Sequence, residues 1–164
     1  MQRIQLETSI AAPARRCFFL SLSIDLHMDS TASTRERAIA GITTGLIGAG
    51  ESVIWRGRHF GFMLNHTSTI TRYEPPGFFQ DVMTAGMFRS FEHDHRFLQQ
   101  QNRQTVMKDE LRFSAPLGNL GLAVERLVLR NYLTRFLRER NDFVKQVAES
   151  ERWREYLSKT HTLL

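Results

Sequence analysis

The sequence predicts an α+β fold in which a curved antiparallel sheet of about six or seven strands wraps around a long C-terminal helix. Two observations predict it. Several segments with the period of a strand follow one another through the middle of the chain, and one long segment with the period of a helix comes after them. A chain of 164 residues is long enough for one domain with a sizeable core.

The first part of the chain predicts one strand and two small helices. Gln2 to Ile10 alternates apolar and polar residues, which is the period of a half-buried strand. Pro13 suits the first turn of a helix, and Ala14 to Leu22 carries enough apolar residues to give that helix a buried side. Ser23 to Thr34 is rich in polar and capping residues, so it is predicted to be a loop or a second short helix.

The middle of the chain is predicted to form an antiparallel meander. Repeated glycines between Thr34 and Glu51 favour one short strand and a mobile loop. Turn residues then divide the chain into further segments that have the composition of strands. These segments are 51–59, 62–73, 78–84, 88–99 and 104–114.

One long helix is predicted after the last strand. Pro116 lies near its first turn, and apolar residues recur three or four positions apart as far as Val144, which corresponds to about eight turns. A sheet with one apolar face must be covered, and this helix is the candidate cover. We therefore expect one domain over residues 1–149, followed by a tail over 150–164 that extends the helix or folds back as another short helix.

Charge and composition exclude several classes of function. The formal net charge is +5, but acidic residues interrupt the arginines of the long helix, as expected of a solvated face rather than of a specific nucleic-acid site. These arginines are Arg126, Arg130, Arg135, Arg138 and Arg140. No apolar run is long enough to span a bilayer, and a single cysteine, Cys17, suits a reducing compartment. We expect a cytoplasmic protein without a membrane span.

Several stretches resemble one known superfamily. They are IAAPARRCFFL, TGLIGAGESVIWRGRHFG, EPPGFFQDVMTAGMF, FEHDHRF and MKDELRFSAPLGNLG, together with a helix that ends in FLRERNDFVKQVAE. The chain resembles the START-like, or SRPBCC, superfamily of helix-grip proteins over about residues 2–149. It is most similar to bacterial polyketide cyclase/dehydrase-like members of unassigned biochemical role. The resemblance implies a sheet that grips a helix over a ligand cavity, and it assigns no reaction.

Alternation along three predicted strands assigns side chains to the cavity face. The inward sets are Phe79, Asp81 and Met83 on one strand, Phe91, His93, His95 and Phe97 on the next, and Met107, Asp109, Leu111 and Phe113 on the last. Tight turns near residues 86–88 and 101–103 would place Asp81 opposite His93 and His95 opposite Asp109. The sequence therefore predicts two histidine–aspartate pairs inside the sheet.

These pairs have both a chemical and a structural interpretation. A buried carboxylate is costly unless it is paired, and a carboxylate beside an imidazole favours the protonated ring. Asp81, His93, His95 and Asp109 are therefore candidate catalytic residues for general acid/base chemistry without a cofactor. Alternatively, the four side chains satisfy one another inside the sheet. We expect no metal, because each pairing occupies the ring nitrogen that a metal would need.

The leading functional prediction is binding or carriage of a hydrophobic or amphiphilic small molecule. The predicted lining residues are Trp55, His59, Phe79, Met83, Phe91, Phe97, Met107, Leu111, Phe113, Leu120, Val124, Leu127 and Asn131. One alternative is a cofactor-free lyase of the polyketide cyclase or dehydratase type. Another is a partner-binding module, or a homodimer, that uses Trp153, Tyr156 and Leu157 of the tail.

Overall fold

A seven-stranded antiparallel sheet forms the centre of the computed structural model, which describes residues 1–116 and 128–157. The strand order is β1-β7-β6-β5-β4-β3-β2, so the first and last strands are neighbours. The strands are β1 (Gln2–Ile10), β2 (Arg37–Gly41), β3 (Ser52–His59), β4 (Phe62–Glu74), β5 (Phe78–Ala85), β6 (Ser90–Gln99) and β7 (Thr105–Ser114). The predicted meander is confirmed, including the short strand within the glycine-rich segment.

The helices of the first part of the chain begin where the sequence signals indicate. Helix α1 spans Ala14–Ser21, directly after Pro13. Helix α2 spans Ile24–Ser30, and the hydroxyl of Ser23 caps it by accepting a hydrogen bond of 3.2 Å from the Leu26 N–H. Ser23 to Thr34 thus contains a second short helix, which was one of the two structures predicted for it.

The register of the sheet matches the predicted pairing. Asp81 lies opposite His93 between β5 and β6, and His95 lies opposite Asp109 between β6 and β7. Short connections set both registers, because a tight turn fixes which residues face each other. Irregularities between β4 and β5 also interrupt the ladder, and bulges of this kind bend a sheet. The result is a concave face onto which these pairs point.

Helix α3 (Arg130–Ala148) lies across this face. Its contacts with β1, α1 and α2 bury a stripe that includes Leu133, Leu137 and Val144, as the apolar spacing predicts. The predicted helical residues from 117 to 127 lie outside the described residues. No helix within the described residues combines the length and the apolar character needed to cross a bilayer.

The tail folds back as a separate short helix, α4 (Trp153–Leu157), which contacts α1. Leu157 is 1% exposed within the core, and the Tyr156 hydroxyl donates a hydrogen bond of 2.8 Å to Asp29 Oδ2. The guanidinium of Arg16 lies 4.4 Å from the ring centre of Trp153. The prediction that all three tail side chains serve a partner is therefore wrong for Leu157, because the core of the same chain buries it.

Aromatic residues fill the end of the sheet nearest α1. Phe18 is fully buried, and its ring makes edge-on contacts with Tyr73, Phe79 and Phe97 at centroid distances of 5.5 to 5.7 Å. Pairs of this geometry each contribute about 0.5–1.5 kcal/mol beyond the burial of apolar area. This packing buries several of the twelve phenylalanines of the sequence.

Candidate functional site

A cavity of about 160 Å³ lies between the concave face of the sheet and helices α2 and α3. Its wall is mainly apolar and contains members of both core clusters, such as Ile24 and Val53 from one and Leu111 and Leu133 from the other. Polar side chains are a minority of the lining residues, and they include histidines, two carboxylates and an arginine. An apolar hollow with a few polar groups is the usual composition of a small-molecule site.

The structure divides the predicted lining residues into three groups. Those on the cavity wall are Trp55, His59, Phe79, Met83, Phe91 and Leu111. Those outside the described residues are Leu120, Val124 and Leu127.

The remaining predicted lining residues, Phe97, Met107, Phe113 and Asn131, do not line the cavity, so these predictions are corrected. Helix α1 covers Phe97 and Met107, because the ring of Phe97 packs on Phe18 and the sulfur of Met107 lies 3.9 Å from the Ser21 hydroxyl. Phe113 packs against Phe88 in the second core cluster, and Asn131 is on the exposed side of α3.

The predicted histidines and aspartates form one compact cluster. His93 and His95 follow each other on the same side of β6, with their ring centres 3.8 Å apart. Asp109 Oδ1 lies 3.1 Å from His93 Nε2 and 2.7 Å from His95 Nδ1. These contacts are electrostatic, because none of the three atoms has a hydrogen bond of good geometry within the described residues. We call Asp81, His93, His95 and Asp109 the His/Asp cluster.

Asp81 is the member of the His/Asp cluster that is most open to the cavity. Its Oδ2 atom lies 3.0 Å from His95 Nε2, in a hydrogen bond, and 3.8 Å from His93 Nδ1. The Ser68 hydroxyl donates a hydrogen bond of 3.2 Å to its other oxygen. The Asp81 side chain is 21% exposed, whereas that of Asp109 is fully buried. The cluster is thus layered, with Asp81 at the cavity and Asp109 behind the imidazoles.

The two histidines of the cluster differ in their affinity for protons. Burial lowers the pKa of His95, but its contacts with Asp109 and Asp81 outweigh burial and raise that pKa above its usual value. Burial also lowers the pKa of His93, and the neighbouring His95 lowers it further. His95 therefore binds a proton more readily than His93 does.

The two aspartates of the cluster favour their ionised forms. Burial alone would raise the pKa of Asp81 and of Asp109. The hydrogen bond from His95 and the nearby charges outweigh burial at Asp81, and both imidazoles do so at Asp109, so each pKa lies below its usual value. A carboxylate beside a protonatable imidazole can accept and return a proton, which is the arrangement used in general acid/base chemistry.

Two residues of α3 lie beside the cluster, and neither was predicted from the sequence to be part of the site. Asn141 Nδ2 donates a hydrogen bond of 2.7 Å to Asp109 Oδ2. Arg140 lies on the cavity wall, is 5% exposed, and donates a hydrogen bond of 3.3 Å to the Ser21 carbonyl. The prediction that Arg140 solvates the outer face of the helix is therefore wrong. The helical spacing of apolar residues could have identified both, because steps of three and four residues from Leu137 to Val144 pass through positions 140 and 141.

A second polar network lies on the cavity wall, formed by His27, Glu36, His59 and Tyr132, and we call it the Glu36 network. The buried carboxylate of Glu36 is 2.7 Å from His27 Nε2 and 3.2 Å from His59 Nε2, in hydrogen bonds to both. The other ring nitrogen of His59 lies 2.7 Å from the Tyr132 hydroxyl. Only His59 was predicted. Extending the alternation of β2 back by one residue would have placed Glu36 on the same face as Ala38.

Comparisons with known proteins identify the fold of this chain. Neither family models nor curated proteins match this sequence. A START superfamily protein from Mycobacterium smegmatis is similar in structure, with a TM-score of 0.67 at 11% identity, over 88% of this chain and 98% of that one. The Zhui aromatase/cyclase from Streptomyces sp. R1128 gives 0.64 at 13% identity, over 89% and 95%.

A third similar structure comes from a plant. The ginseng major latex-like protein 151 from Panax ginseng has a TM-score of 0.67 at 13% identity, over 91% of this chain and 98% of that one. Identities this low establish architecture and not chemistry. The strand order, the small helices after β1 and the C-terminal helix all agree with that architecture. The chain therefore has the START-like, or SRPBCC, helix-grip fold that its sequence resembles.

Proposed function

We propose that this chain binds a hydrophobic or amphiphilic small molecule in the cavity between the sheet and helix α3. The observation that carries the proposal is the cavity wall, which is mainly apolar and also contains two groups of interacting polar side chains, the His/Asp cluster and the Glu36 network. The apolar wall favours a ligand with an apolar body, because removing such a surface from water is favourable. The polar groups favour a ligand that also carries hydrogen-bonding groups.

The solved structures support a ligand-binding role for the fold. A START superfamily protein and an aromatase/cyclase are built on the same architecture. Helix-grip proteins of this kind bind different molecules, so the identity of the ligand has to come from the side chains of this cavity.

Native mass spectrometry of the purified chain tests the proposal, because it detects a bound molecule of any identity by its mass. We expect a mass excess that disappears on denaturation. Binding of the amphiphilic probe 1-anilinonaphthalene-8-sulfonate can then be compared in two matched variants. Leu64→Trp places a bulky ring on the cavity wall and should weaken binding by about tenfold or more. Leu98→Trp places the same ring at an exposed position of β6 and should leave binding unchanged.

Equal probe binding in the wild-type protein and in Leu64→Trp would contradict the proposal. The same holds if both variants weaken binding equally, because the probe would then bind outside the cavity. Thermal unfolding of both variants shows whether each is folded before its binding is compared.

The second candidate function is a cofactor-free lyase of the cyclase or dehydratase type that uses the His/Asp cluster. The exposure of Asp81 to the cavity favours it, because a proton can pass between a ligand and the Asp81–His95 pair. We propose Asp81 and His95 as the proton-transferring pair, with His93 and Asp109 orienting it.

Incubating the molecule that copurifies with the chain, and following its mass, tests this candidate. A dehydratase removes one water from the molecule, whereas a cyclase can leave the mass unchanged and alter its chromatographic mobility. Asp81→Asn should abolish turnover and leave binding intact. Asp94→Asn changes a buried carboxylate on the opposite face of neighbouring β6 and should retain turnover. Equal turnover in both variants would remove the cluster from the mechanism.

A further inference from the structure

We propose that Asp81, His93 and His95 form a binding site for a divalent transition-metal ion. One ligand atom from each residue lies within 4.8 Å of the other two. Two imidazole nitrogens and a carboxylate oxygen are a ligand set that zinc, cobalt and ferrous iron accept. All three residues lie on the cavity wall, so an ion held there keeps an open coordination position toward the cavity. The inference does not depend on the proposed organic ligand.

The distances from Asp81 to the two ring nitrogens are close to those between ligands of a tetrahedral site. Two ligands about 2.0–2.1 Å from a zinc ion at tetrahedral positions lie about 3.3 Å from each other. Asp81 Oδ2 lies 3.0 Å from His95 Nε2 and 3.8 Å from His93 Nδ1. The two distances fall on either side of the tetrahedral value, so shifts of about half an ångström would bring Asp81 Oδ2 to that distance from each of the two nitrogens.

The far sides of both imidazoles face a carboxylate, as the far sides of metal-binding histidines often do. Asp109 Oδ1 lies close to His93 Nε2 and to His95 Nδ1, and Asn141 holds the other oxygen of Asp109. A carboxylate behind a histidine orients the ring and makes its other nitrogen a better ligand. Asp109 therefore occupies the outer nitrogens and leaves the inner pair for an ion. This geometry overturns the reason for which the sequence predicted no metal, since each ring keeps one nitrogen toward Asp81.

The charges of the cluster also favour a cation. Asp81 and Asp109 place two carboxyl groups in a region with little water, and Arg140 is a basic side chain on the same cavity wall. Uncompensated charge in such a region is costly, and a divalent ion removes that cost. The ion would take the place of the proton between His95 and Asp81, so the acid/base role of the second candidate function belongs to the metal-free protein.

Titration of the purified chain with metal ions alone tests the proposal. The protein is prepared without a histidine tag, stripped with a chelator, and titrated with Zn²⁺ by calorimetry and with Co²⁺ by visible absorption. We expect one ion per chain, cobalt absorption typical of tetrahedral coordination, and a rise in the unfolding temperature, because the ion binds the folded state.

Matched variants locate the ion. Asp81→Asn and His95→Gln should lose stoichiometric binding, and Asn141→Ala, which removes a supporting group, should weaken binding by about 10- to 100-fold. His59→Gln changes a histidine elsewhere on the cavity wall and should bind Zn²⁺ like the wild type. Circular dichroism establishes that each variant is folded. If a variant is unfolded, the ion is located instead by X-ray absorption of the Zn²⁺-loaded wild type, for which we expect two imidazole ligands.

Three results would overturn the proposal. The first is a wild-type chain that binds no Zn²⁺ at micromolar concentrations. The second is equal affinity in the wild type, Asp81→Asn and His95→Gln, which would place the ion elsewhere. The third is an X-ray absorption spectrum without imidazole ligands. None of these results bears on binding of an organic molecule, so the two proposals fail separately.

Discussion

Asn141 Nδ2 donates a hydrogen bond of 2.7 Å to Asp109 Oδ2, and both side chains are almost completely buried. This contact joins helix α3 to strand β7 at the base of the His/Asp cluster. Leaving an oxygen of a buried carboxylate without its hydrogen-bond partner costs free energy, because water cannot replace the lost bond. The orientation of the cluster and the stability of the fold thus depend on the same contact.

Asn141→Ala should therefore lower the free energy of unfolding by about 1–3 kcal/mol. Urea unfolding at neutral pH measures the loss. Asn131→Ala is the matched control, because Asn131 lies on the exposed side of the same helix, and its effect should stay within about 0.5 kcal/mol. Similar losses in the two variants would show that the bond to Asp109 contributes little.

Glu36→Gln should remove a contribution to the free energy of unfolding that depends on pH. Burial would raise the pKa of Glu36, but the hydrogen bonds from His27 and His59 outweigh burial and hold that pKa well below its ordinary value of 4.5. A group whose pKa is lowered on folding stabilises the protein above its unfolded-state pKa. That contribution is lost as the pH falls toward the folded-state pKa.

The wild type should consequently exceed Glu36→Gln in free energy of unfolding at about pH 6, and the difference should shrink as the pH is lowered below about 4.5. Urea unfolding at a series of pH values measures this difference. Glu7→Gln changes an exposed carboxylate and should show a much smaller difference throughout. A difference for Glu36→Gln that is independent of pH would contradict the prediction.

Arg140→Met should destabilise the protein although it replaces a charged residue by an apolar one of similar length. Arg140 donates hydrogen bonds of 3.3 Å to the Ser21 carbonyl and to Asn141 Oδ1, and its charge faces Asp81. Hydrogen bonds of charged groups contribute about 1.5–3 kcal/mol. We expect a loss in that range by urea unfolding.

Arg138→Met is the control for this effect, because Arg138 is exposed on the same helix and its substitution should change stability by no more than about 0.5 kcal/mol. If Arg140→Met were as stable as the wild type, the guanidinium would be dispensable for joining α3 to α1.

Cys17 should be unreactive in the folded protein. Its side chain is fully buried in the core, and burial raises the pKa of its thiol to about 11, so the nucleophilic thiolate is scarce at neutral pH. A disulfide reagent such as 5,5′-dithiobis(2-nitrobenzoate) should label the native chain slowly and the urea-unfolded chain rapidly. Cys17 is the only cysteine, so one label per chain is the end point. Equal rates in the two states would show that the core opens readily around α1.

The His/Asp cluster is the part of the site that could be predicted most completely from the sequence. Alternation placed Asp81, His93, His95 and Asp109 on one face, and tight turns set their registers, so both facing pairs were predictable. The same reasoning overestimated the cavity. It assigned Phe97 and Met107 to the wall because they share that face, whereas α1 covers this end of the sheet.

The Glu36 network and the helix side of the cluster could not be predicted in the same way. Glu36, His27 and Tyr132 come from different parts of the chain and meet only when α2, the short strand β2 and α3 have packed. Arginine is usually a surface residue, but Arg140 becomes buried because the middle of α3 packs over the cavity and against Ser21 at the end of α1. Contacts between distant segments have no period within one segment that would reveal them.

The sequence by itself determined the strands, the order of the elements, the face on which each strand side chain lies, and the two facing pairs. These features depend on local periodicity and on short turns, which act within a few residues. Only the tertiary structure decided where the cavity ends, which charged residues are buried, and that both imidazoles share one carboxylate behind them and another in front. Those features depend on how the helices cover the sheet, and that packing is set by the whole chain at once.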